Sequence, residues 1–211
     1  YTYINDGSLE LRIVRDGESI VGCQLEQIYK REDITKTETS FVIYGDSISA
    51  SYDYPGRLRN LLAADGHTFT KWTNLAVSGR TLQTLLTQLN NLNAEHFQYA
   101  TMMVGINDMV NWQSSHAEEL NAKGFRTQYR SQLRACIAQI NAKNTVEALF
   151  LVVPYNTSAY KMDDGTYWPA SGGEGYYRAR TLHDIIIQEI VSAGEDYEYV
   201  HVCSMDAYIP N

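Results

Sequence analysis

The sequence has few of the features that mark a metal-binding, disulfide-rich or membrane-spanning chain. Its 211 residues include only three cysteines. They lie far apart and form no Cys-x-x-Cys pair, so neither a zinc site nor a dense disulfide framework is predicted. The longest uninterrupted apolar run, residues 148–154, is much shorter than the roughly 20 residues needed to cross a bilayer. We therefore predict buried thiols at Cys23, Cys136 and Cys203, no metal or other cofactor, and no membrane span.

Basic residues are also scarce. Lysine and arginine number 17 against 25 aspartates and glutamates, which gives a formal net charge of −8. Proteins that bind nucleic acids need clustered lysines and arginines for the phosphates, and no such cluster occurs here, so no nucleic-acid partner is predicted. The Gly-x-Ser-x-Gly pattern of α/β-hydrolases and the Gly-x-Gly-x-x-Gly pattern of dinucleotide-binding proteins are both absent.

From residue 41 onward, short apolar runs alternate with segments whose apolar residues recur at helical spacing. The runs predict five strands. The first begins at Phe41, the second leads to Asn74, and the other three cover residues 99–104, 146–153 and 199–204. The predicted helical stripes are Leu58, Leu61 and Leu62 between Pro55 and Gly66; Leu82, Leu85, Leu86 and Leu89; Phe125, Tyr129, Leu133, Ile137 and Ile140 in a long helix through Asn141; and Leu182, Ile186 and Ile190. This alternation predicts one α/β domain at residues 41–211, with a five-stranded parallel sheet covered by helices on both faces.

Residues 1–40 have a different pattern. Apolar and polar residues alternate on both sides of Asp16-Gly17, a pair typical of hairpin turns. The apolar positions are Leu9, Leu11 and Ile13 before the turn and Val21, Cys23 and Leu25 after it. We predict an N-terminal β-hairpin or accessory β-segment, followed by a polar linker at residues 31–40.

Three short polar blocks follow predicted strands. They are Gly45-Asp46-Ser47, the stretch from Asn74 to Thr81 that contains Gly79, and Gly105-Ile106-Asn107-Asp108. Ligands of open α/β sheets bind beyond the carboxyl ends of the strands, so Ser47 is a candidate nucleophile. Taken alone, Gly-Asp-Ser would more simply be a turn that caps a helix.

Together, in this order, the three blocks resemble the SGNH, or GDSL-type, esterase and lipase family. The resemblance implies a three-layer α/β/α fold of the flavodoxin-like kind, with Ser47 as the nucleophile. It also implies an oxyanion hole completed by the backbone N–H of Gly79 and the side-chain amide of Asn107. Such donors stabilise the negative charge that develops on the carbonyl oxygen during acyl transfer.

The family has a histidine base in an Asp-x-x-His block near the C-terminus, and this sequence does not show that block. In one account Asp206 is the triad acid and Ile209 stands where the histidine would be. In the other, which we favour, Asp206 only ends the last strand and the block lies beyond Asn211 in a longer chain; the lack of an initiator methionine agrees with this. None of the five histidines has the expected spacing; they are His67, His96, His116, His183 and His201.

A long aromatic segment, residues 155–175, separates the fourth strand from the last helix. Long irregular segments inside compact domains are often functional. Tyr155 and Trp168 in this segment are candidates for a wall of the substrate site. The alternative is that these aromatic residues pack on the neighbouring helix.

These features predict a serine esterase that removes an acyl group, most simply acetyl, from a carbohydrate or another small ester. The alternative is a catalytically inactive SGNH-like module for carbohydrate binding, or a structural part of a larger surface or virion protein. The family resemblance favours an extracellular or surface location, and a cytoplasmic location stays open.

Overall fold

The computed structural model describes residues 39–51, 53–144, 146–154 and 174–203, together with short strands at 2–3, 9–10, 13–15, 18–20, 160–161 and 167–168. The chain divides into two compact units, Tyr1–Thr37 and Glu38–Asn211. The second unit contains all three polar blocks.

The first unit contains two antiparallel strand pairs. Strand β1 (Thr2–Tyr3) pairs with β2 (Leu9–Glu10), and β3 (Ile13–Arg15) pairs with β4 (Glu18–Ile20). In the second pair Arg15 lies opposite Glu18. The predicted turn at Asp16-Gly17 lies outside the described residues. The other side of the predicted hairpin, at Val21, Cys23 and Leu25, lies outside the described residues.

The second unit is organised around a sheet of five parallel strands. These are β5 (Ser40–Gly45), β6 (Lys71–Asn74), β7 (Tyr99–Met103), β8 (Ala148–Val152) and β11 (Val200–Cys203). Their order across the sheet is β6-β5-β7-β8-β11, and every neighbouring pair is parallel. Two further strands, β9 (Tyr160–Lys161) and β10 (Tyr167–Trp168), form a separate antiparallel pair. The predicted α/β fold with a five-stranded parallel sheet is confirmed.

Helices connect the strands of this unit. The described helices are α1 (Ser47–Ser51), α2 (Tyr54–Ala64), α3 (Leu82–Asn91), α4 (Ile106–Ser115), α5 (Ala122–Asn144) and α6 (Glu174–Asp196). The predicted stripes of α3, α5 and α6 join the main core, in which Leu85, Leu133 and Ile186 are fully or almost fully buried. Helix α5 contacts both α3 and α6, so these three helices form one layer over the sheet.

Helix α2 differs from its prediction. Leu58 and Leu62 are partly buried, but Leu61 has 70% of its surface exposed, and Pro55 is the one buried residue of this helix. The predicted buried stripe is therefore wrong. Helical spacing defines an apolar face but does not provide a neighbour for it, and the main described contacts of α2 are with the short helix α1.

The long helix predicted after Asn107 is two helices, α4 and α5. Between them Asn121 has a positive φ of 44°, a backbone conformation that asparagine tolerates better than most residues. Its side-chain Oδ1 accepts a hydrogen bond from the Gly124 N–H at 3.1 Å. This contact satisfies a free N–H at the start of α5, so Asn121 begins a new helix there.

The predicted burial of the cysteines holds for Cys136 and fails for Cys203. Cys136 is fully buried on α5, whereas Cys203 is exposed. The reason is that β11 lies at the edge of the sheet, where a strand has a neighbour on one side only. Cys23 lies outside the described residues.

Candidate active site

Ser47 is the first residue of α1, directly beyond the carboxyl end of β5. The chain turns here because Asp46 caps the helix: its Oδ1 accepts from the Ile48 N–H and its carbonyl oxygen accepts from the Ala50 N–H, both at 3.0 Å. Gly45 is required because a Cβ at this position would collide with Ser49. Ser47 is partly exposed, and its hydroxyl has no hydrogen-bond partner among the described residues.

The second block lies against this turn. The Val77 N–H donates to the Gly45 carbonyl at 3.0 Å, and the Asn74 side-chain amide donates to the Ser49 carbonyl at 2.8 Å. Beyond these contacts, residues 77–80 form a turn closed by a 3.2 Å hydrogen bond. Gly79 is the third residue of this turn and has a φ of +76°, which favours glycine. Gly79 is exposed, and its N–H meets no acceptor within the described part of the chain.

The third block connects to the second. Gly105 has a φ of +149°, and a Cβ there would lie 2.9 Å from the Tyr129 hydroxyl, so the chain can enter α4 here only with glycine. Asn107 follows in the first turn of α4, and its Nδ2 donates to the Arg80 carbonyl at 3.0 Å. This bond uses one of the two amide hydrogens of Asn107 and places the side chain beside the turn that contains Gly79.

A buried carboxylate next to Asn107 was not singled out from the sequence. Both oxygens of Asp108 accept from the Leu82 N–H, at 3.1 and 3.2 Å, and this contact joins the start of α3 to α4. Burial raises the pKa of Asp108 to about 7, and the charge of Asp46 acts in the same direction. Burial likewise raises the pKa of Asp46, which is the cap beside Ser47.

Arg80 is a second residue that the sequence did not single out. It is almost fully buried, and its Nη1 donates to the Leu75 carbonyl at 2.9 Å and also contacts Gln88. Burial lowers the pKa of its guanidinium. The buried side chain of Arg80 thus stabilises the turn of the second block, while the backbone carbonyl of Arg80 accepts from the Asn107 amide. No local pattern could have indicated this role, because it depends on the neighbouring strand connection.

The described contacts of the histidines involve residues other than Ser47. His183 is buried on α6 and has its Nε2 2.9 Å from the Pro154 carbonyl, and the His116 ring is stacked on Trp112. His96 Nδ1 lies 3.1 Å from the Asn144 carbonyl, and His201 is exposed on β11. No contact between a histidine and Ser47 occurs among the described residues.

The remaining predicted site residues cannot be located in the same way. Asp206 and Tyr155 lie outside the described residues, so their roles as triad acid and substrate wall stay predictions. Trp168 lies in β10 and pairs with Tyr160 of β9. Within the described ranges there is no group of three or more histidine, cysteine, aspartate or glutamate residues arranged to hold a metal ion. No described helix is long and apolar enough to cross a membrane.

A sequence model of the GDSL-like lipase/acylhydrolase family matches residues 43–193, a range that includes all three blocks. A search of curated proteins gives no match.

Among solved structures, similar folds occur in a lipase from a goat rumen metagenome, a phospholipase A1 from Streptomyces albidoflavus and an acetyl xylan esterase. The lipase has a TM-score of 0.57 at 12% identity, covering 78% of this chain and 79% of that one. The phospholipase has a TM-score of 0.55 at 17% identity, covering 78% of each chain. The acetyl xylan esterase has a TM-score of 0.52 at 16% identity, covering 80% of this chain and 78% of that one. At these identities the structural likeness establishes the fold alone.

Proposed function

Because this chain belongs to the GDSL-like lipase/acylhydrolase family of ester hydrolases, we propose that it is a serine esterase in which Ser47 attacks the carbonyl carbon of the substrate. The observation that supports this most strongly is the set of hydrogen bonds linking the three blocks. Val77 contacts Gly45, and Asn107 contacts Arg80. The blocks follow three adjacent strands of the sheet, which is where α/β proteins bind their ligands.

In this proposal, Gly79 and Asn107 bind the oxyanion that forms after the attack. Gly79 is exposed and its N–H has no acceptor among the described residues, and Asn107 keeps one amide hydrogen after its bond to Arg80. Both donors are neutral and held in place before the reaction, so they stabilise the developing charge without titrating near neutral pH. The Ser47 N–H is the third proposed donor.

The base that takes the Ser47 proton is proposed to be a histidine outside these 211 residues. A serine hydroxyl is a weak nucleophile without a base. The five histidines present have other surroundings, and His183 in particular is buried against a backbone carbonyl. The alternative of an inactive module predicts instead that the full-length protein has no such histidine.

We propose acetyl as the acyl group and a carbohydrate as the alcohol. The acetyl xylan esterase of similar fold supports this substrate class, while the lipase and phospholipase of similar fold make a long acyl chain the competing choice. The test is to compare hydrolysis of acetylated xylo-oligosaccharides with that of p-nitrophenyl palmitate by the full-length protein. We expect kcat/KM to be higher for the acetylated sugar and both activities to be lost in Ser47→Ala. Preference for the palmitate ester would refute the substrate class, and activity retained in Ser47→Ala would refute the mechanism.

A further inference from the structure

A polar groove lies beside the candidate active site, between the start of α3, one side of α4 and the middle of α5. Its volume is about 370 Å³, which lies within the range of small-molecule sites. Thr81, two residues after Gly79, and Asp108, directly after Asn107, both belong to its lining. The groove therefore includes a close sequence neighbour of each proposed oxyanion-hole residue, and its lining continues on α4 with Asn111, Trp112 and Ser115.

The lining of this groove consists mostly of neutral hydrogen-bonding side chains. Its described lining residues include no lysine or arginine, and the one carboxylate among them, Asp108, already accepts from the Leu82 N–H. A phosphate or carboxylate ligand would therefore find no lysine or arginine to bind among these residues. The neutral hydrogen-bonding residues are Thr81, Gln83, Asn111, Ser115, Gln128 and Gln132.

Several of these amides have unused hydrogen-bonding capacity. The Asn111 and Gln128 side chains are exposed and have no partner among the described residues. Gln132 donates to Gln83 Oε1 at 3.0 Å, but its own Oε1 is buried without a partner in the described part of the chain. An unpaired buried acceptor is energetically costly, so this pair of glutamines is incomplete without a further donor.

One wall of the groove is aromatic. The Trp112 ring is stacked on the His116 imidazole, with the ring centroids 3.9 Å apart and the planes 14° from parallel. A hydrogen bond of 2.8 Å from Trp112 Nε1 to the Leu120 carbonyl fixes the position of the indole. A rigid apolar ring beside amide donors and acceptors suits a ligand that has both a C–H face and a rim of hydroxyl groups.

We propose that this groove binds a neutral sugar unit in the alcohol part of the ester, with the scissile bond at the end near Gly79 and Asn107. The proposal rests on the proposed function, because it takes the ester carbonyl to lie between Ser47 and these two residues. Hydroxyl groups of the sugar would bind the free amides of Asn111 and Gln128, and its C–H groups would contact the Trp112–His116 stack. A phospholipid headgroup or a long acyl chain would find neither a cation nor an extended apolar wall in this lining.

Binding can be measured separately from catalysis in the Ser47→Ala variant of the full-length protein. Xylotriose, cellotriose, maltotriose and chitotriose are titrated into ¹⁵N-labelled protein, and a short-chain phosphatidylcholine serves as the competing ligand. We expect one or more trisaccharides to shift the side-chain amide signals of Asn111 and Gln128. Adding Asn111→Ala or Gln128→Ala should weaken that binding by about fivefold, the typical effect of losing one hydrogen bond. The matched control is Asn90→Ala, which removes an exposed helical asparagine near the far end of α3 and should leave binding unchanged.

The possible outcomes separate this proposal from the proposed function. If none of the four sugars shifts these signals, or if only the phosphatidylcholine does, the sugar groove is refuted even where the wild-type protein hydrolyses esters. Equal binding in Asn111→Ala, Gln128→Ala and the control would also refute it. If the sugars bind as expected but the wild-type protein shows no Ser47-dependent hydrolysis, the groove is supported and the esterase mechanism is not.

Discussion

Replacing Asp108 by asparagine should change how the stability of the protein depends on pH. Burial raises the pKa of Asp108 from an ordinary value of 3.8 to about 7 in the folded state. Each unit of difference between the folded and unfolded pKa corresponds to roughly 1.4 kcal/mol. A difference of about three units therefore corresponds to about 4 kcal/mol between the protonated and ionised limits.

The direction of the effect follows from proton binding. Between pH 4 and pH 7 the folded state keeps the Asp108 proton while the unfolded state loses it, so the free energy of unfolding falls as the pH rises through this window. Asp46, whose pKa is also raised by burial, acts in the same direction. Asparagine does not titrate and can still accept from the Leu82 N–H through its Oδ1. The part of the pH dependence due to Asp108 should therefore disappear in Asp108→Asn, while the part due to Asp46 remains.

The assay is urea unfolding followed by far-ultraviolet circular dichroism at pH 4, 5, 6, 7 and 8. We expect the wild type to lose up to about 4 kcal/mol more than Asp108→Asn over this range. Asp184→Asn is the matched control, since Asp184 is exposed on α6 and should leave the wild-type profile unchanged. Identical profiles for Asp108→Asn and the wild type would refute the burial of this carboxylate between α3 and α4.

Three further substitutions test the site and its support. Asn107→Ala should lower kcat of the full-length enzyme by about 100-fold or more with a smaller change in KM, because the proposed contact forms mainly in the transition state. A change in KM alone would instead make Asn107 a substrate-positioning residue. Gly45→Ala should lower the urea midpoint, because the added Cβ would lie 2.5 Å from the Ser49 Cβ. An unchanged midpoint would contradict the tight turn before Ser47. Glu189→Gln should lower the urea midpoint in the same unfolding assay, because Arg126 and Arg130 lose the charge of the buried carboxylate that they contact at 3.1 and 2.6 Å. An unchanged midpoint would show that these partly exposed arginines gain little from it.

The sequence predicted the features that depend on local pattern. The apolar run before Gly45 identified strand β5, and helical spacing identified the buried side of α5 through Tyr129 and Leu133. The three blocks were recognised because each combines a glycine with a polar residue at the end of a predicted strand. Parallel strands then place their carboxyl ends at one edge of the sheet, so the neighbourhood of the blocks follows from the fold class.

The features that sequence analysis missed depend on contacts between distant segments. The bond of Asp108 to the start of α3 and the burial of Arg80 beneath its turn join residues that no periodicity relates. The exposure of Leu61 has the same origin, because a helical stripe is buried only where another element covers it. The polar groove is likewise assembled from three helices, and none of its amides stands out in the sequence alone.

The central claim is that Ser47 is the nucleophile of an ester hydrolase. Its most direct test is reaction of the full-length protein with diethyl p-nitrophenyl phosphate, which phosphorylates activated serines, followed by mass spectrometry of the peptides. Ser78 provides an internal comparison, because it is an exposed serine in the neighbouring turn. We predict one diethylphosphoryl group on the peptide containing Ser47, none on the peptide containing Ser78, and loss of p-nitrophenyl acetate hydrolysis in proportion to labelling. Labelling at another residue, or full esterase activity in a protein labelled at Ser47, would contradict the account.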